Sequence, residues 1–385
     1  MKAKPIVTVV AATVLAVFMA AGASMALGRI RPVSSRPRID IAFVLDTTGS
    51  MSGLIEGAKR KIWSIANAVA AAQPTPEIRM ALVGYRDRGD AYVTRISGLT
   101  ADLDRIYADL MEFEADGGGD SPESVNQALH EALVDLAWSQ DDGTLRLIYL
   151  VGDAPPHTDY GDDTPYSVTC EKAARAGIII NTVQCGAMAE TTPIWQEIAR
   201  SAEGEFFQID QAGGMAAVST PYDEDLARLS GLLGNTFVTY GDADAVAEQE
   251  KKKAVSRKLA RSAPAEALAD RATYLASAAG RESFTGGSEL IEDLASGEAR
   301  LDEIDADHLP AEMQRMSVDE RRRFVEAKAA ERDKIRTEIR KLSEKRDGFL
   351  KDRIENAGPD GFDRRVLEAL RRQAARKGIV FTTGT

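Results

Sequence analysis

What most restricts this chain is a local pattern that recurs along its first half. A short, nearly continuous apolar run ends on an acid, and a stretch with apolar residues at helical spacing follows. IDIAFVLD at 39–46 is the first such run, and LRLIYLVGD at 145–153 repeats it. After the first run, apolar residues at 51, 54, 55, 58, 62, 65 and 69 make one face of a helix. Residues 78–85, 92–96, 178–183 and 204–209 also read as strands, and 103–113, 123–138, 167–176 and 193–202 as helices. Runs apolar on both faces belong inside a parallel sheet, and strands alternating with helices imply crossover connections. The expected fold is α/β: a doubly wound, mostly parallel sheet with helices on both faces. Such sheets bind ligands at the C-terminal ends of their strands, where Asp46 and Asp153 fall.

Composition narrows the chemistry available at that edge. Three His and two Cys in 385 residues exclude four-Cys and two-Cys-two-His zinc sites as well as a disulfide scaffold. Any metal must be held mostly by oxygen. With 48 Lys plus Arg against 60 Asp plus Glu, the net charge of −12 argues against a nucleic-acid interface. In the turn DTTGSMS at 46–52, Asp46, Thr48 and Ser50 carry oxygen on alternate residues and can converge on one point. The Gly117–Gly119 turn followed by Asp120, together with Asp153, completes a set for a hard divalent cation, which takes oxygens at about 2.0–2.6 Å. The expected ligands are Asp46, Thr48, Ser50, Asp120 and Asp153. The ion is Mg²⁺, or Mn²⁺ or Ca²⁺, with one position left open. The positive end of the helix beginning near Met51 favours an anion there.

DTTGSMS after a buried strand, GGGDSPE before a helix and LVGD at a later strand end resemble the three loops of a von Willebrand factor type A (VWA) domain. In that family these loops form the metal-ion-dependent adhesion site. The flavour is that of bacterial exported members, and GYRDRGD at 84–90 also resembles A-type domains attached to alpha-kinases. The resemblance implies that Thr48 and Ser50 coordinate directly, and that Asp46 and Asp153 supply charge and hold metal-bound waters. It also implies that the open position accepts an acidic side chain of a partner protein. Two departures stand out: Thr48 replaces the usual Ser, and the middle loop offers Asp120, with Ser121 as second choice, where Thr is usual. A third carboxylate would tighten cation binding and loosen adhesion.

Enzymatic readings fare poorly. Ser50 has no recognisable His-Asp partner, no H-E-x-x-H or G-x-S-x-G occurs, and no Gly-Lys-Ser/Thr follows the GGGD turn. A metal-dependent hydrolase using Asp46 and Asp153 as acid and base is the weaker alternative, because the neighbouring hydroxyls suit ligation better than proton transfer. Arg88-Gly89-Asp90 is short enough to arise by chance. His157 is a candidate for the rim of the site, against the plainer reading of a turn residue. The expected function is non-catalytic, metal-dependent protein binding; the alternative is a scaffold working through its tail.

The termini carry separate signals. Lys2 and Lys4 precede an uncharged stretch at 6–27 that ends in A-x-A-like triplets. Residues 1–28 therefore read as a signal peptide or an N-terminal membrane anchor, which places the body in the periplasm or outside the cell, tethered to the inner membrane in the anchor case. Residues 29–38 read as a linker, 39–241 as the VWA domain, 242–290 as a flexible or helical linker and 291–385 as a charged α-helical region. The seam at 317–357 is too short and, at Gly348, too interrupted for a firm coiled coil; a hairpin or bundle with 360–385 packing back fits better. In an oxidising compartment Cys170 and Cys185 either pair or stay as buried thiols.

Overall fold

The computed structural model describes residues 36–119, 121–213, 218–285, 288–354 and 362–381. The N-terminal segment expected to direct export, and Asp120, lie outside the described residues. The strands are β1 (Arg38–Asp46), β2 (Glu77–Tyr85), β3 (Thr94–Thr100), β4 (Thr144–Gly152), β5 (Ile178–Cys185) and β6 (Phe206–Ile209). They form one sheet in the order β3-β2-β1-β4-β5-β6, in which only the edge strand β3 runs antiparallel. The two acid-terminated runs are thus central neighbours, which is why they are apolar on both faces. Register levels their ends: Asp46 pairs with Tyr85, and Leu45 with Val151, so Asp153 emerges beside Asp46.

The helices divide between the two faces. Alternate residues of β1 (Ile39, Ile41, Phe43, Leu45) pack with α1 (Ser52–Ala70) and α2 (Leu103–Met111). Ala42 and Val44 face α3 (Val125–Val134), α4 (Tyr166–Arg175) and α5 (Thr191–Ser201). Cys170 lies in the second cluster and Cys185 in the first. The sheet stands between them, and both are free buried thiols. The pairing considered from sequence is therefore absent, because 185 falls on the strand parity that points away from α4.

The rest of the chain is helical: α6 (Asp223–Gly234), α7 (Ala243–Ser262), α8 (Ala265–Ala276), α9 (Ala278–Thr285), α10 (Leu290–Ser296), α11 (Ala311–Gln314), α12 (Val318–Ile354) and α13 (Phe362–Ala375). In place of the linker expected at 242–290, α7 to α9 are built into the structure. Leu268, Tyr274 and Leu275 of α8 are buried, with Tyr274 against Trp63 of α1 at 5.5 Å between ring centroids. An Ala-rich sequence that looks loose is also a strong helix former with a small profile, and here it packs closely. Helix α12 runs through Gly348 unbroken, since one glycine costs only about 1 kcal/mol in a helix held by its neighbours. α13 returns to the sheet: Tyr149 donates to Val366 O (3.1 Å), and the Asn181 and Gln373 amides pair reciprocally. From Arg36 onward the chain is one compact unit.

Buried arginines fasten these helices. Arg271, fully buried, meets Asp104, Ser230 and Ser256. Arg332 meets Glu289 and Thr236, and Arg346 meets Asp223 and Asp270. Among the described residues no helix is long and apolar enough to cross a membrane.

Candidate metal centre

The site begins where β1 ends. Thr47 turns back toward the sheet: its N–H and hydroxyl both donate to Tyr85 O at 2.8 Å, and its hydroxyl meets Tyr92 OH. Asp46 and Thr48 therefore face the opposite way. The Asp46 carboxylate is fully buried, and its Oδ1 accepts from the N–H (2.8 Å) and hydroxyl (2.6 Å) of Thr48. Oδ2 is buried without a partner. Thr48 Oγ1 is 3.3 Å from Ser50 Oγ, and neither hydroxyl caps the helical turn they precede. Both keep lone pairs available.

Three loops meet at this point. Gly49 N–H donates to Gly117 O (3.2 Å), which joins the first loop to the glycine turn. Gly117 and Gly118 lie at φ +77° and +70°, a backbone that side-chain-bearing residues rarely adopt, and a Cβ on Gly118 would stand 2.7 Å from Thr48 Cβ. Asp90 holds the turn by accepting from Gly118 N–H at 3.1 Å. In the third loop, a Cβ on Gly152 would lie 3.1 Å from Asp46 Oδ2, so that position must be bare for the strand ends to approach. Asp153 follows. Its Oδ2 accepts from Gln211 Nε2 at 2.7 Å, and the same amide reaches Ser50 O at 3.4 Å.

Asp46, Thr48, Ser50 and Asp153 are thus gathered at one rim. Ser121, the second choice for the middle loop, is exposed and donates to Met188 Sδ. His157 is no rim residue: it is buried, stacked on Tyr160, with Nδ1 2.7 Å from Asp159 and Nε2 3.3 Å from Asp87. The Arg88-Gly89-Asp90 tripeptide is occupied internally, with Arg88 on Asp162 and Asp163 and Asp90 on the glycine turn.

Sequence reasoning passed over Glu123, taking it as the start of a helix. It is 3% exposed, and its Oε2 is buried without a partner. Its Oε1 would be 3.2 Å from a Cβ on Gly118, beside Thr48. An acid three residues beyond the GGGD turn was the available signal. Gln211 was passed over too, because nothing before the fold links it to Asp153.

Electrostatics set the rim apart. Burial, reinforced by the charge of Asp153 and opposed by the Thr48 hydrogen bonds, pushes the Asp46 carboxyl up to about 7. Burial and then the charges of Asp46, Asp87, Asp90 and Asp153 push Glu123 up to about 9. Two orphaned carboxylate oxygens among hydroxyl oxygens form a hard donor set that fits a divalent cation. Among the described residues no three His, Cys, Asp or Glu side chains converge closely enough to hold an ion by themselves. The hydroxyls of Thr48 and Ser50 place two further oxygens at the same rim.

Residues 40–220 match the family model of the von Willebrand factor A domain, and they hold the doubly wound, mostly parallel sheet described above. Von Willebrand factor A domain-containing protein 7 of Rattus norvegicus is 31% identical over 153 residues, 40% of this chain and 16% of that protein. The Homo sapiens protein of the same name is 31% identical over 144 residues, 37% of this chain and 15% of that protein. The chain spans between 11% and 16% of the length of the curated relatives it matches. Among solved structures, the VWA domain of SpRpn10 is 13% identical with a TM-score of 0.36, covering 48% of this chain and all of that one.

Proposed function

We propose that residues 39–241 bind a divalent cation at Asp46, Thr48, Ser50 and Asp153 and, through it, an acidic side chain of a partner protein, without catalysis. The observation that carries this reading is Asp46 Oδ2, a buried carboxylate oxygen with no partner beside two uncapped hydroxyls. When bound, the ion, Mg²⁺ or alternatively Mn²⁺ or Ca²⁺, supplies the positive charge that these acids lack.

The chain's own residues do the rest. Asp46 and Asp153 supply charge, with Gln211 fixing the orientation of Asp153. Thr48 and Ser50 offer neutral lone pairs. Asp120, outside the described residues, stays a proposed fifth donor from the middle loop. Helix α1 starts without a side-chain cap, so its first N–H groups favour an anion arriving at the rim.

Calorimetric titration tests this directly. Saturable binding of Mg²⁺ or Mn²⁺ is expected in the protein and its loss in Asp46→Asn; no binding up to about 10 mM would remove the proposal. Affinity capture with and without chelator then asks whether retention of a partner needs the ion. The reading extends to an exported protein, cleaved or anchored, on the strength of its N-terminal sequence. A periplasm-dependent reporter fused after Gly28 should be active, and a silent one would withdraw export.

A further inference from the structure

We propose that the outer edge of β6 is a second docking site, which takes an extended acidic segment of a partner protein as a seventh strand of the sheet. Its charged part lies at the start of β6, the end of the strands opposite the metal loops. It stands independently of the cation reading.

β6 is bonded to the sheet on one side only. Glu205 O accepts from Thr182 N–H and Ile209 O from Gly186 N–H, both at 2.9 Å, so residues 205, 207 and 209 turn their backbone toward β5. The N–H and C=O of Phe206 and Gln208 therefore point outward, and among the described residues no backbone bond fills them. The opposite edge of the sheet is guarded. β3 carries Arg95, paired with Glu112, and Gly98, and its pairing with β2 shifts register between Met80 and Leu82. Charges and irregularities of this kind keep foreign strands off an edge. β6 reads Phe-Phe-Gln-Ile, with no charge, no Pro and no register break.

What borders this edge sets the chemistry of its occupant. At the start of β6 an open groove of about 620 Å³ is lined by Arg200 of α5, Glu203, Phe206 and Arg376, the residue after α13. α5 and α13 pack on opposite faces of the sheet, so the groove crosses the edge itself. Both arginines are exposed. Nearby Arg372 is paired with Glu205, whereas among the described residues neither Arg200 nor Arg376 makes an ion pair. The dipoles of the two helix C-termini favour cations there, but they do not explain an unguarded edge between them. In a chain of net charge −12, two unpaired arginines against one acid select an acidic ligand by complementarity. Half-buried Phe206 supplies apolar contact for alternate side chains of an added strand.

The test is fluorescence anisotropy of a labelled peptide of about eight residues, alternating Val and Glu, with the full protein in chelator. Saturable binding is expected, weakening as salt rises from about 0.05 to 0.3 M. Arg200→Glu combined with Arg376→Glu should lower affinity about tenfold or more. Gln208→Pro deletes an outward N–H and spares the ladder to β5, so its binding should fall by a similar factor. Gln208→Ala loses only the side-chain bond to Gly186 O and should bind as the unmodified protein does. Arg200 and Arg376 are exposed, so their reversal decides the matter even where the Pro variant fails to fold. No binding in chelator, equal binding of a peptide with Lys in place of Glu, or affinity unmoved by the arginine reversals would overturn the proposal. A dimer in sedimentation without peptide, dispersed by Gln208→Pro, would overturn it in favour of a second copy of this chain. Binding only in the presence of Mg²⁺ would overturn it too, moving the peptide to the rim and leaving the cation reading intact.

Discussion

Buried charge is treated oppositely at the sheet's rim and in the helical half. Behind the sheet, Arg271, Arg332 and Arg346 each meet a buried carboxylate at hydrogen-bond distance. At the rim, Asp46 and Glu123 are equally buried, lie among other acids and each leave an oxygen unpartnered. Uncompensated buried charge is strongly unfavourable, so a fold retains it only where something else supplies the counter-charge. For those arginines the chain supplies the counter-ions itself, from as far away as Asp104 of α2. On the proposed reading, the counter-charge at the rim is an ion taken from solution.

Substitutions that remove charge should therefore act with opposite sign in the two places. Arg271→Ala strands Asp104, which is only 6% exposed, and should cost about 3–5 kcal/mol in urea denaturation, with or without Mg²⁺. Asp46→Asn should do the reverse in chelator, raising stability at pH 8 by a few kcal/mol because it removes a charge that the fold disfavours. The same variant loses the stabilisation that Mg²⁺ gives. Were both substitutions to destabilise the cation-free protein, the contrast would fail.

The pH dependence sharpens the point. Asp46 titrates near 7 and Glu123 near 9 in the folded protein, against about 4 when unfolded. The folded state thus holds more protons across that interval, and the stability these groups contribute is full at low pH and lost as pH rises. Denaturation in chelator from about pH 5 to 9 should show stability falling, and Mg²⁺ should flatten the slope by replacing the protons. A flat profile in chelator would contradict the buried acids. The smallest effect is expected from Arg372→Ala, which breaks a half-exposed pair with Glu205 and should cost less than about 1 kcal/mol. Among the ion pairs, the buried ones carry the larger share of the fastening.

The clustering of the candidate residues was legible beforehand because they are local in sequence. Asp46, Thr48 and Ser50 share one turn, and Asp153 ends the second apolar run. Their spacing along the chain follows from strand and turn geometry alone. Glu123 and Gln211 were not legible, since their placement depends on where a loop and the end of β6 land after folding. Of the two readings of His157, the rim role fails for the same reason: closeness to Asp153 in sequence did not bring it to the rim, because Asp87, Asp159 and Tyr160 enclose it.

Apolar periodicity by itself determined the central strands, their burial on both faces and the sheet edge at which Asp46 and Asp153 fall, because each depends on residues only a few positions apart. Tertiary structure decided that α7 to α9 join the core, that the two cysteines stand on opposite faces of the sheet, and which acids find arginines. Those outcomes turn on contacts between segments 167 residues apart, as between Arg271 and Asp104, and farther, as between Trp63 and Tyr274, and no local pattern of hydrophobicity or charge records which distant partner a side chain will meet.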